Sequence, residues 1–211
     1  MKKNKIEPVL TTVVCLLPIL AGLAVYDRLP EVVATHWGAD GMPNGYSSRA
    51  FAVFGLPLLM AALNLFLRFA LSTDPKKANM SPVLRRISYW TIPVLSVLIY
   101  AMILGRAMGY AFNMTTIVSA LVGVLFIVIG NYLPKTKQSY TMGIKLPWTL
   151  NSEENWNRTH RLAGFLWVIC GAVMLLCSLL HCLPIWLLLG LTLVMALVPT
   201  VYSYILYRRG I

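Results

Sequence analysis

The segment Thr115–Leu133 reads TTIVSALVGVLFIVIGNYL and carries no charged residue over 19 positions. As an α-helix rising about 1.5 Å per residue it would be about 29 Å long. That length matches the roughly 30 Å hydrocarbon core of a bilayer. The segment therefore predicts a transmembrane helix.

Similar runs occur along the whole chain, which is 58% hydrophobic and 12% charged, whereas soluble domains carry roughly 25% charged residues. Backbone groups in lipid must be bonded within their own segment, so an open chain crosses the bilayer as helices. We predict an all-α polytopic membrane protein with one integral membrane domain, residues 1–211. The six predicted spans are Pro8–Tyr26, Phe51–Leu71, Ser88–Gly109, Thr115–Leu133, Leu162–His181 and Pro184–Tyr207. Prolines within the spans predict kinks or local changes of hydrogen bonding; they are Pro18, Pro57, Pro93 and Pro199.

The formal net charge of +11 has a topological explanation. If the N-terminus is cytoplasmic, 15 of the 18 lysines and arginines fall on the cytoplasmic side, and only Arg28, Arg49 and Arg106 fall outside. Loops rich in Lys and Arg stay in the cytoplasm. Both termini and the 134–160 loop are therefore predicted to be cytoplasmic, in the plasma membrane, and the 27–50 loop external. Because orientation accounts for the basic residues, no direct nucleic-acid partner is predicted. The cytoplasmic cations are Lys2, Lys3, Lys5, Arg68, Lys76, Lys77, Arg85, Arg86, Lys135, Lys137, Lys145, Arg158, Arg161, Arg208 and Arg209.

The external loop, DRLPEVVATHWGADGMPNGYSSRA, contains several turn-forming dipeptides. Glycine accepts positive φ and proline presets a turn, so the loop is predicted to be compact. His36 and Asp40 are a candidate cation site. The alternative, which we favour, is a loop that lies against lipid headgroups through Trp37 and Tyr46.

The cytoplasmic loop contains a pattern typical of a helix start. Asn151 followed three residues later by Glu154 resembles a capping box, which predicts a short amphipathic helix that begins at Ser152 and leads into the fifth span. Glu154 and Arg158 would then form an i, i+4 pair. Trp148 and Trp156 suit the membrane interface.

No motif predicts catalysis, a cofactor or a metal. Cys177 and His181 stand four residues apart, but two potential ligands are a weak metal signal. Glu153, Glu154 and His160 lack an evident nucleophile or metal set. A membrane enzyme is therefore the least favoured class, and we predict that the protein is not an enzyme.

The segment GNYLPKTKQSYTMGIKLPWTLNSEENWNRTHRLAG, residues 130–164, resembles the signature of the SdpI family of bacterial membrane proteins. Lys145 stands where the family pattern has arginine, which keeps the charge but loses the bidentate fork. The segment LPEVVATHWGADGMPNGYSSR resembles the domain of unknown function that accompanies this signature. The matching signature residues are Gly143, Ile144, Pro147, Trp148, Thr149, Leu150, Trp156, Thr159, His160 and Arg161.

The resemblance implies immunity to a secreted antimicrobial peptide toxin. It also implies a receptor role in signal transduction, in which a transcriptional repressor is held at the membrane. The expected partners are the lipid bilayer, a toxin peptide outside and a repressor inside. The implied binding residues are Trp148, Trp156, Thr159, His160 and Arg161 in the cytoplasmic element and His36, Trp37, Gly41 and Tyr46 in the external one.

A secondary transporter of a small solute is the alternative. The long loops face opposite sides, as two three-helix inverted halves would require. The spans lack mid-bilayer acids, however, which coupled carriers usually need. Asn64 is the main deep polar residue, and a single Asn more often joins helices than binds a substrate.

Overall fold

The computed structural model describes residues 6–38 and 40–211 and contains six helices long and apolar enough to cross a membrane. This confirms the all-α polytopic prediction. Many large apolar side chains on these helices face outward, including Phe66, Phe69 and Trp186, as expected where lipid is the solvent. The elements are α1 (Ile6–Ala24), β1 (Val32–Trp37), β2 (Pro43–Ser48), α2 (Leu56–Thr73), α3 (Pro82–Ala107), α4 (Met114–Tyr132), α5 (Pro147–Asn151), α6 (Glu153–Leu179) and α7 (Ile185–Arg208).

Two of the spanning helices begin six or more residues earlier than predicted. Helix α3 begins at Pro82 instead of Ser88, and α6 begins at Glu153 instead of Leu162. The predicted bounds follow the charge-free residues, whereas a helix can continue past the hydrocarbon core into the polar interface. A π-helical turn, Phe51–Gly55, precedes α2. It ends two residues before Pro57, which lacks the N–H needed for the usual bond to residue 53, and so matches the predicted change of hydrogen bonding.

The structure divides into two compact units. The first contains the described residues up to Ser72 and Arg85–Thr115, and the second contains Thr73–Leu84 and Thr116–Ile211. The first unit includes α1 and most of α2 and α3. The second includes most of α4 and all of α6 and α7.

Polar contacts join the helices of the first unit. Asn64 Nδ2 of α2 donates a hydrogen bond to Thr11 Oγ1 of α1 at 3.3 Å, which confirms that this Asn links helices. Arg68 also donates to Thr11 Oγ1, at 3.2 Å, and its guanidinium lies 3.8 Å from the centroid of the Tyr89 ring. Ser96 Oγ of α3 donates to the Cys15 carbonyl at 3.2 Å. Such bonds stabilise helix association in lipid.

The second unit depends on a close approach between α4 and α6. A Cβ added at Gly171 would lie 2.7 Å from the Gly123 carbonyl oxygen, and one at Gly164 would lie 2.7 Å from that of Gly130. The two glycines of each helix are seven residues apart and pair in antiparallel order. Only residues without a side chain allow backbones to meet this closely. Helix α7 then covers α6 at an apolar cluster of Cys170, Met174 and Met195.

The glycine contact yields a stability prediction. Gly171→Ala should lower the free energy of unfolding by ~1–3 kcal/mol, because the methyl group overpacks a contact between backbones. Gly190→Ala in α7 is the matched control, since nothing lies within 4 Å of its added Cβ. That control should be neutral or stabilising by up to about 1 kcal/mol, because alanine favours helix over glycine. Thermal unfolding of both purified variants in detergent measures the difference, and equal midpoints would contradict the close α4–α6 contact.

Candidate functional site

The 27–50 loop, predicted to be external, folds as an antiparallel hairpin of β1 and β2. This confirms the predicted compact loop, although the strands themselves were not predicted. Thr35 and Ser47 hydroxyls bond across the strands at 3.0 Å. Arg49 fixes the base of the hairpin, since its Nη1 donates to the carbonyls of Tyr26 and Leu29 at 3.1 and 3.3 Å.

The four residues predicted to shape the external element differ in exposure and contacts within the hairpin. Tyr46 is 59% exposed, whereas Trp37 is half-buried and packs against a cluster of Val33, Ala52 and Ile103. Gly41 lies in the turn with a φ of 77°, a conformation that favours glycine. His36 Nδ1 bonds to the Asn44 side-chain oxygen at 2.5 Å.

The polar groups of the turn are occupied by local bonds. Asp40 Oδ1 accepts the Met42 N–H at 3.0 Å, and the His36 ring bonds to Asn44 as described. No group of three His, Cys, Asp or Glu side chains suited to a metal occurs within residues 6–38 and 40–211. Trp37 packs against the apolar cluster of the first unit and only Tyr46 is exposed, so the interfacial interpretation of this loop stays a prediction.

The signature segment, residues 130–164, is built around two stacked rings of α6. Trp156 and His160 have ring centroids 4.0 Å apart at an interplanar angle of 21°, and both side chains are fully buried. Trp156 Nε1 donates to the Thr136 carbonyl at 2.8 Å. The Ile144 N–H lies 2.8 Å from His160 Nε2, so that nitrogen must be an unprotonated acceptor. His160 Nδ1 therefore carries the proton and donates to the Trp156 carbonyl at 2.8 Å, and the ring is neutral.

Gly143 allows the loop to reach these rings. Its φ is 99°, and a Cβ there would lie 2.5 Å from His160 Nε2 and 2.8 Å from the Trp156 ring. Both the backbone conformation and the lack of space therefore require glycine. Gly143, Ile144, Thr136, Trp156 and His160 form what we term the signature core.

Thr149 fixes the segment that follows. Its hydroxyl accepts the Leu146 N–H at 2.9 Å and lies 2.8 Å from the Ile144 carbonyl, to which it donates. Trp148 is half-buried against α7, stacked on Tyr207 at 5.7 Å and edge-on to Tyr204 at 5.5 Å. Helix α5 is thereby held between the signature core and α7.

Asp74 anchors the loop from the segment between α2 and α3. Its carboxylate accepts the Ser139 hydroxyl at 2.6 Å, the Lys76 N–H at 2.7 Å and the Thr141 N–H at 2.9 Å. Burial alone would raise the pKa of the Asp74 carboxyl, but these hydrogen bonds outweigh it and lower the pKa below its ordinary value. The anchor is thus complete at neutral pH and weakens only in acid. Asp74 was not predicted, although it is the only acidic residue between the second and third spans.

Asn155 joins the signature to α7 and was also missed. Its side-chain oxygen accepts hydrogen bonds from Thr159 at 3.1 Å and from Ser203 at 2.7 Å. Its Nδ2 donates to the Ser203 carbonyl at 3.0 Å. Thr159, a predicted binding residue, is fully buried in this network. The sequence contains one sign of this network. An amide side chain, Asn155, and a hydroxyl side chain, Thr159, stand four residues apart beside Trp156, so they can bond to each other on a helix.

The structure corrects the predicted helix cap. The cap of α6 is Ser152, whose hydroxyl accepts the Asn155 N–H at 3.1 Å, and not Asn151, which is the last residue of α5. The separate short helix is therefore α5, whereas residues 153–160 are the first turns of a helix that continues to Leu179. The predicted Glu154–Arg158 pair is confirmed at 2.5 Å.

The predicted inner residues divide into a buried and an exposed group. Trp156, Thr159 and His160 are fully buried, Trp148 is half-buried, and Arg161 is exposed. The buried three therefore shape the loop, and a partner that binds this surface would meet Arg161 and the edge of Trp148.

Together these features define a multi-pass helical membrane protein with a folded hairpin in one unit and, in the other, a hydrogen-bonded segment, residues 134–160, which we term the signature loop. Residues 135–203 match the SdpI/YfhL protein family, and residues 13–61 match a domain of unknown function, DUF1648. The chain is 27% identical over 210 residues to the Immunity protein SdpI of Bacillus subtilis (strain 168), covering 99% of this chain and 98% of that protein. The resemblance to the SdpI family that the signature predicts is thereby confirmed over residues 135–203. No solved structure matches it.

The corrected cap gives a local prediction. Ser152→Ala should weaken the start of α6 by ~1 kcal/mol, because the Asn155 N–H loses its acceptor. Asn151→Ala is the neighbouring control and should leave this helix start unchanged. Hydrogen exchange of the amides of residues 153–157 measures the effect in both variants. Faster exchange in Asn151→Ala than in Ser152→Ala would restore Asn151 as the cap.

Proposed function

We propose that this protein is a membrane immunity protein that protects a bacterial cell against a secreted antimicrobial peptide. The observation that carries the proposal is the similarity to Immunity protein SdpI over 99% of the chain. Similarity of this extent includes both the hairpin and the signature loop. We also propose a receptor role, in which the signature loop holds a transcriptional repressor at the membrane.

The hairpin is the proposed contact surface for the peptide. Three apolar side chains, Val32, Met42 and Tyr46, are 58%, 64% and 59% exposed on it. Cross-strand bonds and the Arg49 contacts hold the hairpin in one conformation. A preformed surface loses little entropy on binding, which favours affinity. Trp37 would contribute by holding the hairpin on its apolar cluster.

The signature loop is the proposed contact surface for the repressor. Its buried residues leave a polar exterior that includes Lys145, Glu154, Arg158 and Arg161. Mixed charges on a rigid surface favour specificity in protein recognition. Trp156, Thr159 and His160 would affect this role through the shape of the loop.

The proposed function requires that the two surfaces face opposite sides of the membrane. The charge distribution supports cytoplasmic termini, a cytoplasmic 134–160 loop and an external 27–50 loop. Lys2, Lys3 and Lys5, which contribute to that distribution, lie outside the described residues.

Cysteine labelling tests the orientation. Met42 and Lys137 are exposed and suit replacement by cysteine, whereas Ser139 is buried against Asp74. In a background without the four native cysteines, an impermeant maleimide should label Met42→Cys in intact cells and Lys137→Cys only after the membrane is opened. The reverse pattern would overturn the proposed orientation.

Peptide challenge tests the immunity function. Tyr46→Ala should reduce protection by about five- to thirtyfold in tolerated peptide concentration, the effect of losing about 1–2 kcal/mol of binding. Tyr110→Ala is the matched control, since Tyr110 is 68% exposed in the loop between α3 and α4. Both variants are expressed at equal membrane abundance in a sensitive bacterium and exposed to the toxic peptide of the family.

Two outcomes would contradict the proposal. An equal loss of protection in both tyrosine variants would show that the hairpin is not the specific contact surface for the peptide. If the wild-type protein gives no protection but changes uptake of a small solute, the secondary transporter built from two three-helix inverted halves becomes the better explanation.

A further inference from the structure

A groove of about 820 Å³ opens on the second unit between the end of α4 and the start of α6. Its walls include Asn131 of α4 and, on α6, Arg158, Arg161, Leu162, Phe165 and Val168. The α6 residues follow one another at helical spacing, so they form a single stripe along the helix. The groove therefore runs parallel to α6, from the signature loop toward the middle of the helix.

The two ends of the groove differ in chemistry. Asn131, Arg158 and Arg161 surround the end near the signature loop, whereas Leu162, Phe165 and Val168 line the remainder. Arg158 and Val168 are ten residues apart, which is about 15 Å along a helix. A ligand that fits must be negatively charged at one end and apolar over about that length.

The position of the charge-free part of α6 locates the membrane boundary. Residues 162–179 of α6 contain no Lys, Arg, Asp or Glu, and eighteen helical residues span about 27 Å, close to the roughly 30 Å thickness of the hydrocarbon core. Arg161 then lies at the headgroup level and Phe165 and Val168 lie in the hydrocarbon. The polar and apolar ends of the groove thus coincide with the polar and apolar layers of one leaflet.

Arg161 is the cation available to a ligand. Arg158 is paired with the Glu154 carboxylate. Arg161 is exposed and has no ion pair or hydrogen bond within the described part of the chain. Its guanidinium presents a planar set of donors that suits phosphate oxygens.

We propose that this groove binds a phospholipid with an anionic headgroup, whose phosphate meets Arg161 and whose acyl chain lies along Leu162, Phe165 and Val168. A free phosphate would use only the polar end, and a soluble peptide would not enter the hydrocarbon layer. The proposal does not depend on the immunity function.

Lipid binding to the purified full-length protein tests the charge requirement. Native mass spectrometry compares retained phosphatidylglycerol with phosphatidylcholine of the same acyl chains. The wild type should prefer phosphatidylglycerol, and Arg161→Gln should weaken its binding about fivefold, as expected for one cation near a membrane surface. Arg209→Gln removes an equal charge from an exposed residue outside the groove and should retain wild-type binding.

A second pair of variants tests the apolar end. Val168→Trp should fill the groove and weaken phosphatidylglycerol binding with no change of charge, whereas Val194→Trp, on an exposed position of α7, should not. Thermal unfolding checks that each variant is folded. Three results would overturn the proposal: equal losses in Arg161→Gln and Arg209→Gln, equal losses in the two tryptophan variants, or inorganic phosphate that displaces the lipid at millimolar concentration.

Discussion

The close approach of the α4 and α6 backbones at two glycine pairs is the constraint on which the signature depends. The second pair, Gly130 and Gly164, lies where the chain leaves α4, and Pro134 packs directly over Gly164. Because of this contact, the loop that follows α4 begins beside the first turns of α6. The Thr136 carbonyl therefore lies 2.8 Å from Trp156 Nε1. A side chain at either glycine would separate the helices and with them the two ends of this hydrogen bond.

Once the loop lies against α6, its polar groups must find partners within the protein, because a buried group without one is costly. His160 meets this requirement by accepting the Ile144 N–H and donating to the Trp156 carbonyl. Asp74 meets it with three donors from its own segment and from the loop. The polar character of the signature is thus largely an internal property, and its exposed surface is formed by other residues.

The sequence was sufficient for the spans because the cost of placing charge in hydrocarbon is large and acts residue by residue. It was also sufficient for the Glu154–Arg158 pair, which depends only on helical spacing. The cap was wrong because Asn151 and Ser152 are both good cap residues, and the choice depends on α5, which packs through Trp148 on Tyr204 and Tyr207. The hairpin and the buried roles of Trp156 and His160 also depend on tertiary contacts that composition and spacing do not specify.

Helix α6 connects the signature loop to the membrane-spanning part of the second unit. Its 27 residues span about 40 Å, which exceeds the hydrocarbon core by about two turns. Those two turns carry the cap, the Glu154–Arg158 pair and the stacked rings, while the charge-free remainder packs on α4 and α7. Because one uninterrupted helix joins both parts, the bonds of the signature core also fix the position of the groove-lining residues that follow on α6. His160, which is buried and bonded at both ring nitrogens, thereby also fixes the position of its neighbour Arg161.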